Sequence, residues 1–376
     1  MRILISAGEA SGEMYGAQLI EALRRRVPDL QCFGVGGERM RGAGCDLVVN
    51  ARELSVVGIT EILPRVPKIY AEFRKLVRAM DERRPDAGIV IDSPAFNFRV
   101  ARELHRRGVP VIYYVAPQLW AWRERRVRLM RYVKKALVIF PFEEQWYRER
   151  GVDAEFVGHP LAFLPNSTIS REEFARAHGL DVQKRWIALM PGSRRREVGM
   201  NLPAMLQATR RFPEYQLILP VASTLDARWL DDKVRQHSVS VKLVRDARAA
   251  LAHSRAAVVA SGTATVEAAL MGTPMVVVYR VSPLTWLCGR PLVKVKHFAM
   301  VNLVAGREIV PELIQSDFTA ENVATRLGEA LADGAAREKM IGGLEEVRAR
   351  LRSGGSARPA AERAADAVLR LLGVAA

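Results

Sequence analysis

Two stretches of this sequence suit a bound phosphate. In "LMPGSRRREVGM" an apolar run ends at Met190, a turn follows at Pro191-Gly192-Ser193, and Arg194, Arg195 and Arg196 come next. A glycine turn, a hydroxyl and a planar guanidinium fork suit an anionic oxygen cluster. The same residues also suit a solvated basic helix start, although cations there oppose the helix dipole. In "AVVASGTATVEAALMGTPMVVVY" a buried run ends at Ala260 and a helix opens at once after Ser261, Gly262 and Thr263. Backbone N–H groups, two hydroxyls and the positive helix end can cradle a diphosphate. Glu267 lies one turn past Thr263 and can accept from a ribose diol; alone, it also fits a solvated helix residue.

Three other stretches carry acids and amides. In "IVIDSPAFNFRVA", Asp92 ends an apolar run, Ser93 can cap the next helix, and Pro94 suits its first turn. A carboxylate there can take a proton from a hydroxyl, or simply cap the helix. The opening turn "SAGEASGEMYG" places Glu9 and Ser11 between two glycines and ahead of a helix. It approximates a dinucleotide-binding turn but lacks the G-x-G-x-x-G spacing. Gly8 and Gly12 allow close backbone approach, and Ser11 also fits a helix cap. In "MVNLVAGREIVPELIQ", Asn302 and Gln315 stand among apolar residues, as satisfied buried amides or as donors to a sugar or phosphate.

The elements that must position these residues read as alternating short apolar runs and helical patterns, which predicts an α/β fold with mainly parallel sheets. Strands are expected near 2–7, 31–35, 46–49, 88–91, 109–115, 136–140 and 155–157. A second set is expected near 186–190, 216–220, 242–244, 257–260 and 275–279. Helices are expected over 14–25, 68–82 and 96–107, and everything after Thr319 reads as helical with a break at "SGGS". The segment "GHPLAFLPNSTIS" (158–170) reads as a linker. Two doubly wound halves predict a ligand cleft at the carboxyl ends of their strands.

Lys and Arg number 57 against 41 Asp and Glu, a net charge of +16, which favours an anionic partner. Cys32, Cys45 and Cys288 have no metal or redox spacing and fit buried thiols in a reducing compartment. The six histidines are scattered without ligand spacing, so no metal or other cofactor is expected. No apolar run approaches the roughly 20 residues of a spanning helix, and the first residues carry no signal-peptide pattern. No nucleic-acid-binding motif accompanies the basic run "RERRVRLMRYVKK" (123–135), so no nucleic acid is expected as partner.

Together, "SAGEASGEMYGAQLI", "IDSPAFNFRVA", "YYVAPQLWAWRERRV", "FPFEEQWY", "FVGHPL", "LMPGSRRREV", "SGTATVEAALMGTPMVVVYR" and "VNLVAGREIVPELIQ" resemble the lipid-A-disaccharide synthase family in its order, from residue 1 to about 320. The resemblance implies a GT-B glycosyltransferase of two Rossmann-like domains, 1–160 for acceptor and membrane and 161–350 for the UDP-sugar. A C-terminal helix in 351–376 would be able to return to the first domain. It implies joining of UDP-2,3-diacylglucosamine to 2,3-diacylglucosamine 1-phosphate, with inversion and loss of UDP. Asp92 is then the candidate base, with Glu9, Arg194 and Asn302 as further catalytic candidates. Ser11, Gly192, Ser193, Ser261, Gly262, Thr263, Glu267 and Gln315 would bind substrate and UDP. The opening turn, on this reading, faces an acceptor sugar.

Acylated substrates require contact with a bilayer. In "ITEILPRVPKIYAEFRKLVRAM", Ile62, Val66, Ile69, Phe73, Leu76 and Val77 share one helical arc, and Arg65, Lys68, Lys75 and Arg78 share the other. That pattern suits an interfacial helix on an anionic membrane, or a helix packed on the sheet. The regular helix is expected to start near Pro67. The resemblance implies a cytoplasmic protein, peripheral on the inner membrane of a Gram-negative-type bacterium. It leaves the oligomeric state open, a homodimer included. The alternatives are another UDP-sugar GT-B enzyme, of the peptidoglycan glycosyltransferase or UDP-GlcNAc 2-epimerase type, or a basic membrane-binding protein without catalysis.

Overall fold

The computed structural model describes residues 1–54, 59–122, 124–164, 169–290, 293, 295–352 and 357–374; the side chains of residues 10, 54, 59–66, 122, 284 and 288 also lie outside the described set. The chain forms two compact units, Met1–Phe163 with Arg352–Ala376, and Leu164–Leu351.

The first unit holds a sheet of β1 (Arg2–Ala7), β2 (Gln31–Gly36), β3 (Cys45–Asn50), β4 (Ala87–Ile91), β5 (Val111–Tyr114), β6 (Lys135–Val138) and β7 (Ala154–Phe156). Its order is β3-β2-β1-β4-β5-β6-β7, and every pairing is parallel. The second unit holds β8 (Trp186–Met190), β9 (Gln216–Pro220), β10 (Val241–Val244), β11 (Ala256–Ala260), β12 (Met275–Tyr279) and β13 (Glu312–Ile314). Its order is β10-β9-β8-β11-β12-β13, again parallel. Helices cover both faces of such sheets, so central strands such as "AGIVI" and "AAVVA" are apolar throughout and wholly buried. The helix Ala360–Leu371 packs on the helix Ala10–Arg26, where Arg26 pairs with Glu362 at 2.6 Å and with Asp366 at 2.8 Å.

Three elements differ from the expectations, and the basic run, for which no element was expected, adds a fourth. The helix expected over 68–82 runs over Ile59–Arg83. It therefore starts ahead of Pro64 and Pro67, each of which forgoes one helical hydrogen bond. The basic run near 123–135 forms a 3₁₀ segment, Glu124–Tyr132, before β6. The edge strand β13 was not expected, because three residues show no alternation. The linker 158–170 contains a 3₁₀ turn, Pro160–Phe163, and ends in a capping box in which Ser170 and Glu173 satisfy each other's backbone N–H.

The apolar arc of the helix Ile59–Arg83 is a further correction. Leu76 is wholly buried, and Phe73 packs against the core with its ring edge-on to Phe96 at 5.8 Å. A helix lying on a sheet turns its large apolar side chains inward, so Phe73 is partly buried against the core where a lipid-facing side chain was expected. Ile69 is half-buried, while the Ile62 and Val66 side chains lie outside the described residues. Tyr70, Arg74, Lys75 and Arg78 are exposed on the outer face. Among the described residues, no helix is long and apolar enough to cross a membrane.

Candidate active site

In the first sheet the strand order reverses between β1 and β4, the switch point where open α/β sheets bind ligands. Ala7 and Ile91 pair there, so the turns that follow them lie side by side. A Cβ on Gly8 would come within 2.7 Å of the Ser93 hydroxyl, so glycine is what lets the two turns meet. Glu9 is the exposed N-cap residue of the helix Ala10–Arg26, and Ser11 sits in its first turn. Glu13 points instead to the turn after β2, where its carboxylate lies against Gly37. It accepts from the Arg39 N–H at 2.7 Å and holds the start of the helix Glu38–Gly42. The two carboxylates of "GEASGE" therefore separate into one at the switch point and one structural cap.

Asp92 and Ser93 both adopt left-handed backbone, with φ of 49° and 45°. Each such residue costs about 1–3 kcal/mol where it is not glycine, and such strain concentrates at functional sites. Burial raises the Asp92 carboxyl to about 6, the nearby Glu9 charge adds to the rise, and a hydrogen bond from the Ser93 N–H opposes it. A carboxylate near 6 is ionised at neutral pH yet basic enough to take a proton.

In the second sheet the order reverses between β8 and β11, where Met190 pairs with Val259. The turn at 191–194 follows β8 and the turn at 261–263 follows β11, so the two phosphate-type motifs share one switch point. Gly192 has φ 127°, and a Cβ there would lie 2.6 Å from Glu197 Oε2. Glu197, in the first turn of the helix Arg195–Thr209, accepts from the Ser193 N–H at 3.1 Å and from Arg194 Nη1 at 2.9 Å. An anion entering here competes with Glu197 for those donors. The Arg194 side chain is 65% exposed, so its pair with Glu197 is weakly held. Arg195 instead lies over the Trp229 ring at 5.2 Å.

Gly262 is the N-cap of the helix Thr263–Leu270 with φ 149°, and Thr263 is exposed in its first turn. Burial raises the Glu267 carboxyl, with Arg248 opposing and Asp246 adding to the rise. Ser261 does something other than expected: its hydroxyl donates to the Phe298 carbonyl at 2.6 Å and latches the turn to the loop before the helix Met300–Ala305.

Asn302 is a correction too. It is wholly buried, and both Nδ2 hydrogens are used, to the Val310 carbonyl at 2.9 Å and Glu312 Oε1 at 2.7 Å. Its Oδ1 accepts from the Ile309 and Val310 N–H groups at 2.8 and 3.1 Å. A carboxamide has no further capacity, so Asn302 organises this loop and offers no donor to a ligand. Gln315 pairs with the Val281 backbone in both directions, Oε1 accepting at 2.7 Å and Nε2 donating at 3.2 Å.

Several residues at these edges were not singled out from the sequence. Glu312 accepts from the Phe298 and Ala299 N–H groups as well as from Asn302. Glu143, wholly buried, accepts from Trp120 Nε1 at 2.9 Å and from the Ile139 and Phe140 N–H groups, and burial lifts its carboxyl to about 7. Asn97 and Tyr113 both donate to the Asp92 carbonyl. The one sequence signal for them is a polar residue on an otherwise apolar, buried face.

Residues 3–366 match the family model described as lipid-A-disaccharide synthetase. The lipid-A-disaccharide synthase of Koribacter versatilis is 54% identical over 374 residues, covering 98% of each chain, and that of Myxococcus xanthus is 46% identical over 99% of this chain and 97% of the relative. Among solved structures, a Staphylococcus aureus MnaA–UDP complex superposes with a TM-score of 0.68 at 15% identity, covering 100% of this chain and 97% of that one. The calicheamicin glycosyltransferase CalG4 gives 0.61 at 19%, over 99% and 98%. At such identities the superpositions establish the fold alone, two parallel-sheet α/β domains of the GT-B type. The full-length match and the close relatives go further: the chain belongs to the lipid-A-disaccharide synthase family.

Proposed function

We propose that the chain is the glycosyltransferase that joins UDP-2,3-diacylglucosamine to 2,3-diacylglucosamine 1-phosphate. The acceptor's primary hydroxyl attacks the anomeric carbon of the donor, its proton passes to Asp92, and the bond from that carbon to the diphosphate oxygen breaks. A β-1,6 disaccharide and UDP result, with inversion at the attacked carbon. The observation that carries the reading is the match to the family over residues 3–366. Asp92 at its switch point supplies a base of suitable strength. Incubating the protein with both acylated sugars should release UDP in step with disaccharide. Release of UDP without disaccharide, or no release, would defeat the reading. The epimerase alternative rests only on shared fold and is not favoured.

The first unit would take the acceptor at Glu9, Ser11 and Asp92. The second would hold UDP at Gly192, Ser193, Arg194, Gly262 and Thr263, with Glu267 toward the ribose. Arg194→Ala is expected to weaken UDP binding, or slow turnover, about tenfold, since a charge-assisted hydrogen bond contributes about 1.5–3 kcal/mol. Calorimetric titration with UDP checks this, and an unchanged affinity together with unchanged turnover removes Arg194 from the site.

Acylated substrates place the protein at a bilayer, peripheral on the cytoplasmic face of the inner membrane. The outer face of the helix Ile59–Arg83, with Tyr70 58% exposed beside Arg74, Lys75 and Arg78, suits an anionic surface. Flotation with anionic vesicles should fall as salt rises, because the Debye length shrinks to about 8 Å at physiological ionic strength. Equal flotation with neutral vesicles at all salt concentrations would refute the basic-face contact.

A further inference from the structure

We propose that Asn97 and Tyr113 are positioning residues that hold the Asp92–Ser93 turn in its left-handed form and thereby fix the reach of the Asp92 carboxylate. The proposal rests on the reading of Asp92 as the base. Local sequence favours only half of this turn, since aspartate tolerates left-handed backbone and serine is not among the residues enriched there. Neither residue is glycine, and Pro94 pushes the residue before it toward extended backbone, away from the φ of 45° that Ser93 adopts. The hold must come from elsewhere, and the buried polar partners supply it.

Asn97 is wholly buried one turn into the helix Pro94–Arg106. Its Nδ2 donates to the carbonyls of Ile91 and Asp92, both at 2.8 Å, and more weakly to that of Ser6 at 3.3 Å. Its Oδ1 accepts from the Ser6 hydroxyl at 2.7 Å. One amide thus ties the end of β4 to β1. Tyr113, wholly buried on β5, donates its hydroxyl to the same Asp92 carbonyl at 2.8 Å. Both lone pairs of that oxygen are therefore engaged, while the ladder bond from the Asp92 N–H has stretched to 3.4 Å. The main chain of Asp92 is held by side chains where the sheet lets go of it.

Besides burial, the groups that act on the Asp92 carboxyl are Glu9 from the start of the first helix and the Ser93 N–H. The Tyr113 phenol touches the Asp92 main chain instead and is itself pushed well above its usual range, first by burial and then by the Asp92 charge. A loosened turn would bring the carboxylate into water and lower its pKa from about 6 toward the ordinary 3.8.

Tyr113→Phe removes only the hydroxyl and keeps the ring in the core. It is expected to lower kcat about tenfold, since small misplacements of reacting groups cost up to about a hundredfold. KM for the donor should stay within about twofold, a split that tests for misplacement rather than lost binding. The acid limb of kcat/KM should move to lower pH. In an Asp92→Asn background the same change should have no further effect on UDP release. Asn97→Ala should behave alike but more severely; if it fails to fold, Tyr113→Phe still decides. A folded Tyr113→Phe with wild-type kcat and acid limb, or an equal loss in the Asp92→Asn background, overturns the proposal. If Asp92→Asn alone keeps full activity, the base reading fails and the proposal with it. If Asp92→Asn is inactive while Tyr113→Phe is unaffected, only the positioning role fails.

Discussion

Asp92→Asn is expected to lower kcat by about a hundredfold to ten-thousandfold, the range that general bases contribute. Asparagine is the informative replacement. It nearly matches aspartate in shape and tolerates left-handed backbone, so the turn at φ 49° survives and the loss reports chemistry. Alanine would confound the two. The wild-type kcat/KM should fall below about pH 6, where burial and Glu9 place the Asp92 carboxyl, and the variant should lose that limb. The same shift carries a stability consequence of opposite sign. A carboxyl raised above its unfolded 3.8 to about 6 stabilises the fold fully only below 3.8, and that contribution is lost as pH rises through 6. Asparagine carries no such charge, so Asp92→Asn should melt at or above the wild-type temperature at pH 7–8 while being nearly inactive. UDP affinity should not change, because the proposed UDP contacts belong to Arg194, Glu267 and their neighbours. Activity within about threefold of wild type would remove Asp92 as base.

The parts of this molecule legible in its sequence are those fixed by local pattern. Segments 2–7, 186–190, 216–220 and 275–279 read as strands because parallel strands buried on both faces are near-continuous apolar runs. Asp92 was legible because it ends one. Two kinds of feature were not legible. β13 is too short for any period, and the helix from Ile59 passes two prolines that ordinarily mark a start. Roles set by distant partners were also hidden. Asn97 reaches Ser6, 91 residues earlier, and Ser261 reaches Phe298, 37 residues later. Asn302 shows the same limit from the other side. An amide among apolar residues fits a ligand donor or a saturated core group equally, and only its four hydrogen bonds decide. Phe73 belongs here as well, since an amphipathic stripe does not say whether lipid or protein covers it.

Gly34→Ala is expected to be the most damaging conservative change to the fold. Gly34 pairs with Ile5 in the β1–β2 register, beside the irregularity between Gly34 and Val35. Its φ is 147°, and a Cβ there would lie 2.1 Å from the Ile5 carbonyl oxygen. That oxygen is backbone at the centre of the sheet, so no rotamer change relieves the contact. Either β2 moves off β1 or the chain leaves its left-handed conformation and the pairing slips. Gly108 is the control, with φ 71° and no atom within 4 Å of an added Cβ. Gly108→Ala should cost only the left-handed penalty of about 1–2 kcal/mol. Gly34→Ala adds the clash and should exceed about 4 kcal/mol, in the range of exceptional single changes. For a unit of this size each kcal/mol shifts Tm by about 2–4 °C, so the two variants separate clearly in a thermal melt. The functional consequence follows from β1 itself: its end carries Gly8 and Glu9 to the edge where Asp92 sits, so a displaced β1 would abolish turnover along with stability. A Gly34→Ala protein that melts within a few degrees of Gly108→Ala would mean that β1 and β2 are not packed this closely.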